Sequence, residues 1–411
     1  MTMRELEAQG QAVRAAASVL AQASDAKRCT VLRDVADQLD AKCDELLGVN
    51  ALEVAAYDQG GPGRDRLVLN AARVASMAEA LRTIASQPDP VGESLDHDVR
   101  PNGLIVERVR VPLGVIGVVY ENRPNVTSDV AGLCVRSANA AYLRGSSSAQ
   151  ATNEFIVALW RDALERASLP VDAVALVADP SHEAAVAFMQ MDDVLDCLIP
   201  RGGPSLIAAM REHARVPYVL DGDGNCHIYV DEFADLDMAL AIVRNAKTSR
   251  PGVCNAVETV LVHERVASAF LPAMAASMPE VELRGDAPTC ALVADAHVAS
   301  ESDYAREFLD LILAVKVVTS LDEAIEHVAH YGTGHSEAII TENTENAEAW
   351  VRRVDAAAVL VNASTRFIDG GELGLGGEVG ISTQKLHARG PMGLRELTCL
   401  KWVVRGEGQV R

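Results

Sequence analysis

The feature that most constrains the fold is an alternation of short apolar runs with amphipathic stretches, which begins at Gly114. The apolar runs are residues 115–120, 141–144, 174–177 and 195–200. The stretches between them, residues 126–139, 149–167 and 205–214, repeat apolar residues at helical spacing. This order is typical of parallel βαβ units with right-handed crossovers, so the sequence predicts a nucleotide-binding α/β half.

A second series of the same kind follows the turn-rich segment 221–225 (DGDGN). Its apolar runs are residues 228–230, 257–263, 311–319, 337–340 and 358–361. Before Gly114 the pattern is helical to about residue 85, with Ser24 as a predicted N-cap. The glycine-rich residues 369–380 are predicted to form a loop that needs positive φ angles. The sequence therefore predicts two doubly wound α/β domains that meet near residue 221.

Two strand candidates stand outside both series. Residues 105–111 (IVERVRV) alternate as a half-buried strand should, and residues 397–404 (LTCLKWVV) form a second run near the end of the chain. A terminal strand frays unless it is paired. We therefore predict that the two segments pair in a small ribbon, either within the chain or across subunits.

Composition and charge exclude several classes of partner. The 37 Lys and Arg against 58 Asp and Glu give a net charge of -21, and aromatic residues are only 4%, so nucleic acid is not an expected ligand. No apolar run reaches transmembrane length and the amino end lacks a signal-peptide pattern, so we expect a cytoplasmic protein without a membrane partner. The 8 Cys show no CxxC pair and no nearby His at ligand spacing, which favours free thiols and no metal.

One cysteine has the context of a reactive thiol. Cys254 lies in residues 247–259 (KTSRPGVCNAVET), where a Pro-Gly loop with two nearby cations leads into an apolar strand. The other seven cysteines are expected to be inert and buried. Arg123 is the matching candidate for anion binding, because it lies between an apolar strand and a helix with a predicted cap at Asn125 or Thr127. On local grounds alone, an arginine such as this is as often a solvated surface charge.

Seven segments together resemble one family. They are residues 108–127 (RVRVPLGVIGVVYENRPNVT), 199–203 (IPRGG), 225–231 (NCHIYVD), 245–248 (NAKT), 254–259 (CNAVET), 361–367 (VNASTRF) and 382–394 (STQKLHARGPMGL). In this order they resemble the gamma-glutamyl phosphate reductases, also called glutamate-5-semialdehyde dehydrogenases, of the aldehyde dehydrogenase superfamily. The resemblance implies a cofactor-binding domain (1–98 and 112–221), a catalytic domain (222–393) and an oligomerisation ribbon (99–111 and 394–411). It also explains why no G-x-G-x-x-G fingerprint follows residues 115–120, since this superfamily binds its dinucleotide without it.

The resemblance implies an NADPH-dependent reduction of L-glutamyl 5-phosphate to glutamate 5-semialdehyde and phosphate. It makes Cys254 the nucleophile, with Asn122 and Arg123 as further catalytic residues. Lys247 and Arg366 are the expected ligands of the substrate's anionic groups. The expected cofactor-binding residues are Arg144, Ser146, Arg201, Gly202 and Glu307.

The chain departs from aldehyde-oxidising relatives in one respect. Residues 217–224 (PYVLDGDG) contain no Glu, although such relatives usually carry there the Glu that activates water. Asp221 and Asp223 could substitute but are expected first to form the turn. An NAD-dependent aldehyde dehydrogenase and a catalytically silent nucleotide-binding relative are the alternative functions. The resemblance further suggests a homo-oligomer and, as a partner, the glutamate kinase of the same pathway.

Overall fold

The structure is a computed structural model that describes residues 2–58, 62–220 and 222–411, without the side chains of Pro62 and Pro204. The helices of this part are α1 (Met3–Leu20), α2 (Asp25–Ala41), α3 (Cys43–Ala56), α4 (Pro62–Leu67), α5 (Ala71–Ser86), α6 (Pro124–Arg136), α7 (Gln150–Arg166), α8 (His182–Met189), α9 (Pro204–His213), α10 (Leu236–Thr248), α11 (Glu264–Ser277), α12 (Ala287–Leu292), α13 (Glu301–Tyr304), α14 (Leu321–Tyr331) and α15 (Thr344–Arg353). The strands are β1 (Ser94–Val99), β2 (Ile105–Pro112), β3 (Val115–Tyr120), β4 (Ala140–Arg144), β5 (Val174–Leu176), β6 (Cys197–Arg201), β7 (Cys226–Val230), β8 (Val257–His263), β9 (Glu282–Gly285), β10 (His297–Val298), β11 (Ile312–Val318), β12 (Ser336–Ile340), β13 (Ala358–Val361), β14 (Ile381–Ser382), β15 (Gly390–Pro391) and β16 (Thr398–Arg405).

The chain divides into two compact units. The first contains residues 1–220, 374–380 and 392–411, and the second contains residues 221–373 and 381–391. The predicted boundary residue Asp221 lies outside the described residues. Residues 374–380, which the sequence placed in the catalytic domain, group with the first unit instead. The roles assigned to the two units stay predictions.

The first unit is built on a four-stranded parallel sheet in the order β5-β4-β3-β6. All four strands of this sheet were predicted, and β3 has the predicted bounds. Because β4 and β5 lie on one side of β3 and β6 on the other, the strand order reverses between β3 and β6. Ligands of open α/β sheets bind outside the carboxyl ends of the strands at such a point.

The helices of the first unit also follow the sequence pattern, with one correction. Ser24 caps α2, as predicted, by accepting a hydrogen bond from the Lys27 N–H. The helix α6 begins at Pro124 with Arg123 as its N-cap, so the predicted caps Asn125 and Thr127 were wrong. The physical reason is that proline suits the first helical position, where its missing N–H has no intrahelical acceptor.

A three-stranded antiparallel ribbon, β1-β2-β16, belongs to the first unit. Strand β16 pairs with β2 from Thr398↔Pro112 to Arg405↔Ile105, so the predicted pairing occurs within the chain. The strand β1 before residue 99 was not predicted. Leu400, Trp402 and Val404 on β16 are exposed. The ribbon therefore presents an apolar edge strand.

The second unit contains a seven-stranded parallel sheet in the order β10-β9-β11-β8-β7-β12-β13. The predicted strands β8 and β13 have the expected bounds. Strands β9 and β10 were missed, because β9 is short and contains Glu, Arg and Gly, and β10 is only the dipeptide His-Val. The glycine-rich loop has the expected positive φ at Gly374 (75°) and Gly376 (76°).

No helix in the described part of the chain is both long enough and apolar enough to span a bilayer.

Candidate active site

Six predicted site residues of the first unit lie together at one edge of its sheet. They are Asn122, Arg123, Arg144, Ser146, Arg201 and Gly202. They follow or end β3, β4 and β6, and the carboxyl ends of neighbouring parallel strands lie at the same edge. The structure therefore brings these residues to the carboxyl edge of the sheet, and those that follow or end β3 and β6 flank the point where the strand order reverses.

The Asn122 side chain is fixed in this edge by hydrogen bonds. Its Oδ1 accepts from Ser146 Oγ at 2.8 Å and from Ser148 Oγ, and its Nδ2 donates to the Tyr57 hydroxyl at 3.0 Å. The backbone has a φ of 39°, a conformation that asparagine tolerates better than most residues. An amide Nδ2 carries two hydrogens, so these bonds orient the side chain without using both donors.

Glu121 was not predicted, yet it shapes the same edge. Its carboxylate accepts a hydrogen bond from the Gly203 N–H at 3.1 Å, at the start of α9. A Cβ added at Gly202 would meet Leu206 at 2.7 Å and the Glu121 carboxyl carbon at 2.8 Å. The glycine at 202 is therefore needed for the close approach of Glu121.

Arg144 anchors a neighbouring loop. Its Nη2 donates to the carbonyl oxygens of Pro180 at 2.6 Å and Ser181 at 2.9 Å. Burial lowers the pKa of Arg144, whereas the nearby carboxylates of Asp179 and Glu121 raise it. The side chain thus holds residues 180–181 while its guanidinium stays beside the strand end.

Asp129 on α6 is a second acidic group near this edge. Burial raises its pKa to about 6, against the hydrogen bond from Asn125 Nδ2 at 3.0 Å and the charge of Arg201. Its Oδ1 is buried and has no hydrogen-bond partner within the described residues. A carboxyl group in this state changes protonation near neutral pH.

In the second unit, Cys254 lies in the turn between α10 and β8 and is half-buried. The turn is closed by a hydrogen bond from the Ala256 N–H to the Val253 carbonyl at 3.0 Å. Cys226, at the start of β7, donates from Sγ to the Cys254 carbonyl at 3.1 Å. The backbone of Gly224 lies so close that a Cβ there would overlap the same carbonyl group.

Glu307 binds the backbone segment that packs against this turn. Its Oε1 accepts a hydrogen bond from the Gly224 N–H at 2.9 Å. The next residue, Asn225, is fully buried and donates from Nδ2 to the carbonyls of Tyr304 and Tyr331, both at 2.8 Å. Residues 224–225, which pack against the Cys254 turn, are therefore held by several hydrogen bonds. Glu307 was predicted as a cofactor ligand, and the structure places it against the backbone that carries the Cys254 turn.

Lys247 requires a revised assignment. Its ammonium lies 2.6 Å from Glu258 Oε2, and both side chains have 0% exposure. Burial lowers the pKa of Lys247 and raises that of Glu258 to about 7, each opposed by the charge of the other. Because Lys247 lies in the last turn of α10 and Glu258 is in β8, the pair joins the two elements that flank the Cys254 turn. We therefore assign Lys247 to this pair and not to the substrate.

Arg366, which was predicted as a ligand of the substrate's anionic groups, contacts the segment that carries Cys254. Its guanidinium donates to Asn255 Oδ1 and, at 3.2 Å, to Ser249 Oγ. Burial lowers the pKa of Arg366, and Asp369 and Cys254 act in the opposite direction. A half-buried cation is thus close to the thiol.

A buried polar layer in the second unit escaped the sequence reasoning. His227 Nδ1 lies 3.0 Å from Glu337 Oε2, with both side chains fully buried, and His335 Nδ1 lies 3.6 Å from Cys226 Sγ. Burial raises the pKa of Glu337 and lowers that of His327 to about 3. The clustering of His, Cys and Glu in residues 225–231 and 335–337 was its only sequence signal. Within the described residues, no set of three or more such side chains is arranged to hold a metal ion.

Residues 1–303 match the family model described as the aldehyde dehydrogenase family. The chain therefore belongs to the aldehyde dehydrogenase family, and membership implies a nicotinamide cofactor. The gamma-glutamyl phosphate reductase of Moorella thermoacetica is 51% identical over 412 residues, covering 99% of this chain and 99% of its own. That of Heliobacterium modesticaldum is 52% identical over 412 residues, with the same coverage. The crystal structure of gamma-glutamyl phosphate reductase from Thermotoga maritima matches with a TM-score of 0.96 at 46% identity, covering 99% of this chain and 100% of that one.

These findings confirm the resemblance and the predicted aldehyde dehydrogenase-like α/β fold. They do not test the individual site residues, which stay predictions.

Proposed function

We propose that the chain catalyses the NADPH-dependent reduction of L-glutamyl 5-phosphate to L-glutamate 5-semialdehyde and phosphate, the second step of proline biosynthesis from glutamate. The observation that carries this proposal is the 51% identity over 412 residues to a relative named for this activity. The half-buried Cys254 beside Arg366 supports it, because the chemistry needs an accessible thiol near positive charge.

Cys254 is the residue that forms the covalent bond. Its thiolate attacks the acyl carbon, a C–S bond forms, and the C–O bond to phosphate breaks with its electron pair leaving on phosphate. NADPH, held by the residues proposed at the carboxyl edge of the first unit's sheet, would supply the hydride that reduces the thioester carbon. Collapse of the thiohemiacetal then breaks the C–S bond, releases the aldehyde and returns the thiolate. Asn122 and Arg123 keep the catalytic role that the family resemblance gives them, as donors to developing negative charge.

The absence of a water-activating Glu in residues 217–224 fits a phosphorylating enzyme, since such a base would hydrolyse the thioester. Asp223 is exposed, and Asp221 lies outside the described residues. Arg366 is the cation that we assign to the substrate's anionic groups. A hydrolytic aldehyde dehydrogenase is therefore the less supported alternative.

The cofactor phosphates are assigned to the carboxyl edge of the first unit's sheet. The donor set fits an anionic dinucleotide, because Arg144 and Arg201 supply positive charge beside Ser146 and Gly202. Glu307 keeps its proposed role toward the nicotinamide ribose, since a carboxylate can accept more bonds than the one from Gly224. If Arg144 selects NADPH through its 2′-phosphate, Arg144→Gln should raise the KM for NADPH about tenfold and leave that for NADH unchanged. An equal change for both cofactors would contradict this selection.

The decisive experiment measures the reverse reaction with glutamate 5-semialdehyde and NADP. We expect NADP reduction to require added phosphate, and Cys254→Ala to lower kcat by at least about 10³-fold with an unchanged thermal midpoint. Reduction without phosphate would indicate the hydrolytic alternative. Full activity of Cys254→Ala would overturn the mechanism, and a wild type that binds NADPH but turns over no semialdehyde would favour a silent relative.

The apolar edge strand β16 is the basis for proposing a homo-oligomer. Trp402 is 66% exposed on an unpaired edge, and such edges are normally covered by another chain or by charge. Trp402→Glu should lower the mass measured by light scattering, and an unchanged mass would contradict the proposal. The glutamate kinase of the same pathway is the proposed macromolecular partner, and co-sedimentation of the two purified enzymes tests this.

A further inference from the structure

A buried second cysteine contacts the backbone of the proposed nucleophile. Cys226 Sγ lies 3.1 Å from the Cys254 carbonyl oxygen, and Cys226 has 0% exposure. Burial raises the pKa of Cys226 well above its ordinary value, with Glu337 and Cys254 acting in the same direction. The thiol therefore stays protonated and can donate its hydrogen to the carbonyl.

This contact fixes the orientation of one peptide group. A peptide unit is planar, so holding the Cys254 carbonyl also sets the direction of the Asn255 N–H and of the Cys254 Cα. Gly224 packs against the same carbonyl group, and a Cβ at that position would overlap it. Cys226 and Gly224 therefore both restrict the position of this carbonyl.

The segment from Gly224 to Cys226, which carries this contact, is itself held by hydrogen bonds. Gly224 is tied to Glu307 through its N–H at 2.9 Å, and the Cys226 N–H donates to the Gly224 carbonyl at 2.8 Å. Asn225 donates to two carbonyls between them. The direction of the Cys226 thiol therefore does not depend on a mobile loop.

We propose that Cys226 is a positioning residue that holds the Cys254 main chain, and through it the Cys254 sulfur, in the geometry required for attack on the acyl carbon. The inference rests on the proposed role of Cys254. A thiol–carbonyl hydrogen bond contributes little to stability, but a displacement of about 1 Å at a reacting group can cost about 100-fold in rate. The contribution of Cys226 is thus expected in kcat and not in folding.

Two substitutions of nearly equal size separate the hydrogen bond from packing. Cys226→Ala removes the donor, whereas Cys226→Ser keeps an O–H that can still reach the carbonyl. We expect Cys226→Ala to lower kcat by about 30- to 100-fold with KM within about twofold of the wild type. Cys226→Ser should recover most of that loss. The rate of Cys254 alkylation by iodoacetamide at a fixed pH, followed by peptide mass spectrometry, should fall in Cys226→Ala because the sulfur is displaced, and it should return in Cys226→Ser.

The matched control is Cys134, which is fully buried in α6 of the first unit. Cys134→Ala and Cys134→Ser measure the cost of removing a buried thiol or burying a hydroxyl, and both should leave kcat and the alkylation rate of Cys254 unchanged. If both Cys226 variants lose activity equally, or if kcat falls only in step with the thermal midpoint, Cys226 is only a packing residue. The alkylation arm needs no substrate, so it tests Cys226 even if the wild type lacks the proposed activity.

Discussion

Most predicted site residues of the two units lie at opposite ends of the parallel strands. In the first unit, Asn122 and Ser146 come after β3 and β4. In the second unit, Cys254 comes before β8 and Glu307 before β11, whereas Arg366 follows β13. The carboxyl-end rule for open α/β sheets therefore locates the first set but, in the second, only Arg366.

The carboxyl edge of the first unit's sheet (the first edge) and the Cys254 turn of the second unit (the second edge) also differ in the groups that hold them. Asn122 is held by neutral hydrogen bonds from half-buried serines. The Cys254 turn instead rests on groups with 0% exposure, among them the Lys247–Glu258 ion pair. Desolvated charges are costly unless paired, so the second edge ties catalysis to folding. Changes at the first edge should alter function with little effect on stability.

The largest effect is expected at the buried ion pair. Glu258→Gln leaves the Lys247 ammonium buried without a counter-charge, and breaking such a pair typically costs about 3 to 5 kcal/mol. We therefore expect a loss of this size in the free energy of unfolding, measured by denaturant titration. Hydrogen exchange should locate it in β7 and β8 and not in β3.

The control for this loss is an exposed pair of the same unit. Glu348 lies 4.0 Å from Arg352, with both side chains more than 60% exposed, so Glu348→Gln should cost less than about 1 kcal/mol. The double variant Lys247→Met with Glu258→Gln should recover much of the loss, because the amide can still accept the Leu309 N–H. If Glu258→Gln lowers the free energy of unfolding by less than about 1 kcal/mol, the second edge does not depend on its buried charges more than the first edge does.

The next effect concerns the glycine under the nucleophile. In Gly224→Ala the added Cβ would overlap the Cys254 carbonyl, so the turn must move. We expect kcat to fall by about 100-fold, which corresponds to about 2.7 kcal/mol. Steady-state kinetics would measure the fall in kcat, and a crystal structure of the variant would show whether the turn has moved. Gly48→Ala is the control, because a Cβ there meets nothing within 4 Å. Equal kinetics for the two variants would show that the contact does not position Cys254.

The sequence predicted the parallel strands well because their apolar runs are local signals. Strands β3, β8 and β13 have the expected bounds. It missed β9 and β10, which are too short to show an apolar pattern, so their pairing is set by neighbouring strands. The pairing of β16 with β2 followed from the need to cover a terminal strand.

The family motifs gave candidate site residues, whose roles stay predictions, but they did not give the partners of those residues. Lys247 was expected to bind an anionic group of the substrate on the family resemblance alone. Its fully buried partner Glu258 is eleven residues away, and nothing local in the sequence predicts that they meet. Cys226 lies 28 residues before Cys254, and only the fold brings its thiol to that carbonyl. Contacts of this kind depend on tertiary packing, which periodicity does not encode.

A smaller effect should appear in the pH dependence of the first unit. The pKa of Asp129 is raised from 3.8 to about 6, so the folded state holds this proton more tightly than the unfolded state. Stability from this group is complete below pH 3.8 and is lost as pH rises through 6. The full loss is at most about 3 kcal/mol, of which about 1 kcal/mol falls between pH 5 and 7. Asp129→Asn should flatten that slope by this amount in denaturant titrations, and an unchanged slope would contradict the assignment.

The smallest effect tests whether the first edge tolerates the loss of one hydrogen bond. Ser148→Ala removes one donor to Asn122 Oδ1, but Ser146 at 2.8 Å and Tyr57 at 3.0 Å still hold the amide. We expect a cost of about 0.5 to 1 kcal/mol in the free energy of unfolding and a kcat within about threefold of the wild type. In the double variant Ser146→Ala with Ser148→Ala, the amide loses both donors, so kcat should fall by more than the product of the two single effects. Independent single effects would mean that the two serines do not share the task of orienting Asn122. A large loss of kcat in Ser148→Ala alone would mean that the first edge is as intolerant as the second.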